Sequence, residues 1–227
     1  MEQSTLDLTP LWISLQLAGI TVAILLILGT PLAWWLAHTR SRWKSWAEAV
    51  VALPLVLPPT VMGFYLLVLL GPDGWIGGPM RAVTGSALAF TFSGLVIASV
   101  PYSLPFVVQP LQNAFEAVGQ EPLEAGWSLG ASRLDAFFTI AVPLAARGYL
   151  TAGVLGFAHT LGEFGIVLMV GGNIPGKTKV ISIDIYDRVE SLDYAQAHLL
   201  SGGLLAFSFL ALLAAYSLNR RFPVHVA

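Results

Sequence analysis

Glu124-Ala125-Gly126-Trp127-Ser128-Leu129-Gly130 is a polar interruption in an otherwise greasy chain, and Ile140-Ala141-Val142-Pro143 marks the return to apolar sequence. The segment 116–143 is too polar to cross a bilayer. It reads as two short helices joined by a turn. Pro122 suits a first helical turn, where its missing N–H costs nothing. Glu121 and Glu124 place negative charge at that N-terminal end, which the helix dipole favours. Leu123 and Trp127 are four apart and share a face. Gly130 suits a left-handed C-terminal cap. Ser132 and Asp135 resemble a capping box for the second helix. That helix is expected to carry Leu134, Phe137 and Phe138 toward a membrane, with Pro143 at the start of the next apolar run.

Composition supplies the membrane. Of 227 residues, 56% are hydrophobic and 11% charged, against roughly 25% charged in an ordinary soluble domain. Mean hydropathy is +0.75. The chain is an integral membrane protein. It has no cysteine, which excludes a disulfide, a thiolate metal site and a cysteine nucleophile. A formal net charge of -2 gives no case for nucleic acid. The first apolar run has acidic flanks, Glu2 and Asp7, and is too long for a signal-peptide core, so it reads as a span that stays.

A membrane helix needs roughly 20 apolar residues, and five stretches qualify, at about 11–37, 47–70, 88–112, 144–171 and 196–218. The runs are continuous and lack the alternation of a barrel strand. The expectation is an all-α integral membrane fold, one transmembrane domain over 1–227. Arg40, Arg42 and Lys44 lie in the first connection, Arg133 and Arg147 in or beside the third, and Arg220 and Arg221 in the tail. They outnumber Arg81, Lys177, Lys179 and Arg188 on the other side. Positive charge favours the cytoplasm. The N-terminus is therefore expected outside, and the C-terminus and the 116–143 loop inside.

Prolines are expected to break two spans: Pro54, Pro58 and Pro59 in the second, Pro101, Pro105 and Pro110 in the third. Each removes a backbone hydrogen bond. Two readings stand, ordinary kinks in a packed bundle or bent helices that shape or gate a cavity. In the fourth span, Glu163 is an acid at membrane depth, which by default hints at function. His159, four residues earlier, would share its face and could pair with it. A pathway or gate and a hydrogen-bonded packing pin are both open. Ala158 and Gly162, with Gly165 beyond, would permit close helix contact.

The spacing from Glu124 to Pro143 resembles the "EAA" loop of ABC-type importer permeases. Glu124, Ala125, Gly130, Ile140 and Pro143 stand at the motif positions; Gly126 replaces the usual second alanine and Val142 the usual leucine. The resemblance implies that this segment is a coupling helix docking onto an ATPase subunit, through Glu124, Ala125, Gly126, Trp127, Gly130, Ile140 and Pro143. Leu161-Gly162-Glu163-Phe164-Gly165 with Asn173-Ile174-Pro175-Gly176, and Leu53-Pro54-Leu55-Val56-Leu57-Pro58-Pro59, look like the oxyanion branch of that family, and specifically molybdate permeases. Position 159 departs, since several relatives carry arginine there.

The resemblance implies a type I importer permease. It would be a homodimer with two ATP-binding subunits on the cytoplasmic side and an external substrate-binding protein. Cargo would be molybdate, with tungstate as its isostere, moved across the cytoplasmic membrane by alternating access; sulfate or thiosulfate is the alternative. His159, Gly162, Glu163, Phe164 and Gly165 become pathway or gate candidates. The chain has no G-x-x-x-x-G-K-[ST] phosphate loop. It is thus expected to be no enzyme and to bind no cofactor or metal, with ATP and Mg on the partner ATPase. Acidic residues outnumber basic ones on the expected outer side, so specificity is expected to reside in the binding protein. A proton-driven carrier using His159 and Glu163 would need neither an ATPase nor such a loop. An intramembrane hydrolase would draw on His159 and the intramembrane serines Ser99, Ser103 and Ser201, but no G-x-S-x-G surrounds a serine and there is no H-E-x-x-H for zinc.

Overall fold

A computed structural model describes residues 7–221, and its secondary structure over that range is entirely helical. Glu2 lies outside the described residues, as do the side chains of Arg220 and Arg221. Three helices are each long and apolar enough to cross a membrane: α1 (Thr9–His38), α5 (Phe92–Val118) and α12 (Tyr194–Arg221). Two bent pairs bring the number of possible spans to five. The first joins α2 (Lys44–Val56) to α3 (Pro59–Leu70) at 109°. The second runs through α7 (Arg133–Ala136), a π-helical turn (Phe137–Ala141) and α8 (Val142–Leu144), then bends 68° into α9 (Ala146–Leu161). The short helices are α4 (Gly77–Thr84), α6 (Glu121–Ser128), α10 (Gly165–Gly171) and α11 (Ile181–Glu190).

α5 is the central rod, with α1 along one side and α9 along another. Thr91 caps its N-terminus by accepting from Gly94 N–H at 3.0 Å. Its three prolines do not break it, contrary to expectation. Nor does it end where the apolar run does. Gln112 donates to Glu48 at 3.0 Å and Lys44 reaches Glu116 at 3.3 Å. These polar partners from α2 carry the helix on to Val118.

In α2–α3 the proline effect is as expected. Leu57 and Pro58 each precede a proline, and both are extended, with φ/ψ of -73/136 and -55/135. A residue before proline is pushed out of the α region, so two such residues in tandem end the helix.

The expected fourth span over 144–171 is not continuous. α9 stops at Leu161, residues 162–164 are non-helical, and α10 starts again at Gly165. No proline is involved.

Small residues draw α9 onto α5. A Cβ on Gly148 would lie 2.2 Å from that of Ala114, and one on Gly156 would lie 2.7 Å from Val107 Cγ2. Ala152, midway between them, is fully buried. Gly148-x3-Ala152-x3-Gly156 is thus the close-contact stripe. The expected pair Ala158 and Gly162 instead borders a cleft. Where α1, α5 and the π-turn meet, Phe115 is fully buried, and Trp34 packs edge-on against Phe115 and Phe137 at 5.1 and 5.0 Å.

Candidate functional site

Two places in this frame have the makings of a site: the elbow α6–α8 and the break between α9 and α10. At the elbow, Pro122 lies in the first turn of α6, with Glu121 and Glu124 beside it. Gly130 adopts φ +93. Its N–H bonds to Trp127 O at 3.0 Å, and Ala131 N–H bonds to Gly126 O at 3.0 Å. These are the two hydrogen bonds of a Schellman cap. Ser132 Oγ then accepts from Asp135 N–H at 3.1 Å and starts α7.

Leu123 and Gly126 are buried, and a Cβ on Gly126 would come 2.5 Å from Ile140 Cδ1. The glycine that departs from the motif is thus in contact with another motif position. Glu124 and Ala125 are exposed, Trp127 is 42% exposed and Leu129 90% exposed. Pro143 is exposed just before the 68° elbow. Of the residues expected to face the membrane, Leu134 and Phe138 are exposed, but Phe137 turns inward to Trp34.

At the α9–α10 break, Glu163 and His159 do not pair. α9 ends at Leu161, so Glu163 leaves the helical register that would have placed it over His159. Its Oε2 accepts from Ser99 Oγ at 3.1 Å, and its backbone carbonyl accepts from Ser182 Oγ. Glu163 is 5% exposed, and its Oε1 has no partner among the described residues. His159 is stacked on Phe106 at 3.8 Å and tilted against Tyr102 at 4.8 Å, with no partner for Nε2 among the described residues. One turn along α5 from Ser99, Ser103 shares a hydrogen bond with Thr160 at 2.9 Å. The break is therefore pinned by hydroxyls on α5 and α11. Sequence reasoning weighed Ser99 and Ser103 only as serines for a hydrolase, not as partners of Glu163 and Thr160, and gave Thr160 and Ser182 no role. Hydroxyls at one-turn spacing opposite an intramembrane acid were the available signal.

His159, Gly162, Glu163, Phe164 and Gly165 are brought together with Pro59, Thr60 and Tyr102 around a cleft of about 610 Å³. The two breaks touch here: a Cβ on Gly165 would lie 2.7 Å from Pro59 Cβ.

Beyond α10, the Asn173–Thr178 stretch is a clamped turn. Ile174 O accepts from the N–H groups of Lys177, Thr178 and Lys179. Asn173 Nδ2 donates to both Asp187 oxygens at 2.9 and 2.8 Å, and Lys179 Nζ meets Asp184 at 2.9 Å and Asp187 at 2.7 Å. Burial opposes the charge of Lys179, but the hydrogen bonds to Asp187 and Asp184 outweigh it and raise its pKa. Burial likewise opposes the charge of Asp187, and Lys179 and Asn173 outweigh it and lower its pKa. Lys179 is thus committed to carboxylates, while Lys177 is exposed.

The family described as "Binding-protein-dependent transport system inner membrane component" matches residues 29–222. The molybdenum transport system permease protein ModB of Azotobacter vinelandii is 60% identical over 98% of both chains. ModB of Escherichia coli K12 is 37% identical over 79% of this chain and 78% of its own. A sulfate transport permease, CysT of Synechocystis, is 35% identical over 82% of this chain and 65% of its own. Among solved structures, a bacterial alginate ABC transporter bound to its periplasmic protein superposes with TM-score 0.76 at 17% identity, over 96% of this chain and 80% of that one. The inward-facing MetNI methionine transporter gives 0.71 at 15% identity, over 93% and 94%. The fold is that of type I ABC importer membrane subunits.

Proposed function

Given that the chain belongs to the family of inner membrane components of binding-protein-dependent transport systems, we propose that it is the permease of an ATP-driven importer of molybdate. The observation that carries this reading is 60% identity to a molybdenum permease running over 98% of both chains. Tungstate, an isosteric dianion, fits the same reading.

The chain is a multi-pass inner-membrane transport subunit, and the work of transport enters from outside it. α6 is the place for that: a short, doubly capped helix whose Glu124, Ala125 and Trp127 side is open to a partner. In the assembly we propose, two copies meet about a two-fold axis, each α6 seats on one of two ATPase subunits that hold ATP and Mg, and a binding protein delivers cargo from outside. The N-terminus is outside and the C-terminus cytoplasmic. When the ATPases close, α6 moves. The π-turn and the elbow at Ala145 pass that motion to α9, whose far end is the hydroxyl-pinned break. Because Gly165 rests on Pro59, displacement of one break displaces the other, and the cleft between them opens or shuts. His159, Gly162, Glu163, Phe164 and Gly165 act as the gate.

Glu124→Lys in proteoliposomes with the ATPase and binding protein tests the coupling. The expected result is correct insertion, retained ATP hydrolysis and molybdate uptake reduced at least about tenfold, as for loss of one charge-assisted contact. Undiminished uptake would refute the coupling role. Competition by unlabelled sulfate as strong as by molybdate would replace the cargo.

A further inference from the structure

α9 begins with a charge that nothing among the described residues answers. Arg147 is its second residue. The guanidinium Nε and Nη2 are buried and have no hydrogen-bond partner among those residues, and Arg147 forms no ion pair with them. A guanidinium keeps its charge and offers five donors in a fixed fork. Removed from water without a partner it is strongly unfavourable, so an anion is needed to complete it. The acids at this level are taken. Gly148 abuts Ala114 of α5, midway between Gln112 and Glu116. Glu116 accepts from Gln112 at 3.1 Å and from Lys44 at 3.3 Å, and Glu48 accepts from Gln112 at 3.0 Å. Arg147 thus stands at the polar end of the spans, level with these charges.

The same face of α9 carries an apolar groove. A cleft of about 220 Å³ lies between α9 and α12, lined by Gly153, Val154, Phe157 and Leu161 on one side and by Phe207 and Ser208 on the other. Ser208 is its one polar side chain. Gly153 keeps it open, since a Cβ there would meet nothing within 4 Å. Arg147, Val154 and Leu161 recur every seven residues, two turns of helix, and so form one stripe. That stripe faces away from the Gly148–Ala152–Gly156 contact with α5. α12 is barely buried, at 6% of its apolar window, so the groove opens toward lipid rather than into the bundle.

We infer that Arg147 and the α9–α12 groove form a site for one anionic phospholipid, its phosphate on the guanidinium and one acyl chain along the groove. The dimensions agree. Gly153 to Leu161 covers ~12 Å of the helix axis, close to the ~15 Å acyl layer of one leaflet, half of the hydrocarbon core. Arg147 lies ~9 Å before Gly153 on the polar side, where a headgroup layer ~6 Å thick follows the acyl layer. A side chain at the start of a helix leans toward its N-terminus, here away from the bilayer centre. A planar fork of N–H donors matches two phosphate oxygens at once. The site depends on the chain spanning a membrane and is independent of the cargo.

Native mass spectrometry of the full-length chain in mild detergent, titrated with phosphatidylglycerol or with phosphatidylcholine of the same chain length, reads the site directly. The unsubstituted chain is expected to retain phosphatidylglycerol roughly tenfold more tightly, the worth of one charge-assisted contact. Arg147→Gln should abolish that preference, and Arg147→Lys, which keeps the charge but not the fork, should retain part of it. Gly153→Leu fills the groove and leaves Arg147 in place. It should weaken retention of the long-chain lipid several-fold, with an unchanged melting temperature and unchanged binding of a short-chain phosphatidylglycerol. Inorganic phosphate and molybdate, which have no chains, should not displace the long-chain lipid.

Equal retention of the two lipids, or a preference that survives Arg147→Gln, would overturn the inference. Displacement by inorganic phosphate or molybdate would make Arg147 a plain anion site and overturn the lipid. Full retention in Gly153→Leu would remove the groove from the site. The chain has no cysteine, so oxidative cross-linking between copies at Gly153→Cys reports without a background; a cross-link would put a second copy in the groove and overturn the site. So would loss of the preference on adding the ATPase, which would give Arg147 to that subunit.

Discussion

α5 and the α2–α3 pair each contain three prolines, yet α5 is one helix and the pair turns through 109°. In α5 the prolines are four and five residues apart, so each deletes one hydrogen bond from an intact ladder. α1 and α9 press on the rod from two sides, α9 at the distance glycine allows. In α2–α3 two prolines are adjacent, and two successive residues are forced into extended geometry. Val61, Phe64, Tyr65 and Val68 of α3 are exposed, so little packing holds it in line with α2. Proline count does not locate a break; adjacency and support do. The α9–α10 break, with no proline, is held by Ser99 and Ser182 through Glu163. The molecule is a rod held by packing, with breaks held by proline geometry and polar links.

The strongest test is Gly148→Leu, whose first side-chain carbon alone would sit 2.2 Å from Ala114 Cβ. Prying α9 off the rod should cost about 3 kcal/mol or more, read as loss of the folded species in detergent melts. Gly153→Leu meets nothing within 4 Å of its Cβ and should shift stability by no more than about 0.5 kcal/mol. Equal effects would break the distinction between packed and open faces of α9.

Gly165→Ala comes next. Its Cβ would meet a rigid proline ring at 2.7 Å, and separating the two breaks should cost about 2 kcal/mol. A double-mutant cycle with Pro59→Gly should recover much of that cost, and additivity would show that the breaks are uncoupled. Ser99→Ala should cost about 1.5 kcal/mol by stripping Glu163 of its hydroxyl donor. Protection of α10 amides from hydrogen exchange should fall while the middle of α5 is unchanged.

The smallest effect expected is the pH dependence of the 173–193 turn. Asp187 has a lowered pKa. Its contribution is present above the unfolded carboxylate value of ~3.9 and fades as pH falls through the lower folded value. Lys179 has a raised pKa, so its contribution holds below ~10.4 and fades as pH rises through the folded value. Exchange of these amides, corrected for its intrinsic pH dependence, should be flat from about pH 5 to 9 and rise below about 4. A step near neutrality would assign the link to another group.

The sequence was most legible where local chemistry decides structure. Gly130, Pro122 and Ser132 each do one thing that depends only on near neighbours, and α6 with its caps follows from them. The tandem Pro58-Pro59 was legible for the same reason. The continuity of α5 was not, because it depends on α1 and α9 pressing from outside. The α9–α10 break was hidden because Glu163 takes its hydroxyl from Ser99, 64 residues away. The apolar run through 144–171 gives no sign of that preference. His159 and Glu163 looked like partners only while the helix between them was assumed whole.

Ser14 carries a further consequence. Its hydroxyl donates to Pro10 O and accepts from the N–H of Ile181, both at 2.8 Å. Ile181 opens α11, whose own N-cap, Val180, offers no side chain for the purpose. The helix is therefore capped by a residue made 167 positions earlier. At ribosomal speed that is a wait on the order of ten seconds. α1 must be inserted early and kept beside the growing chain until its distant client emerges. A nascent chain truncated before residue 181 would hold an N-terminal helix with an unused latch, so the order of synthesis is part of how this end of the molecule closes.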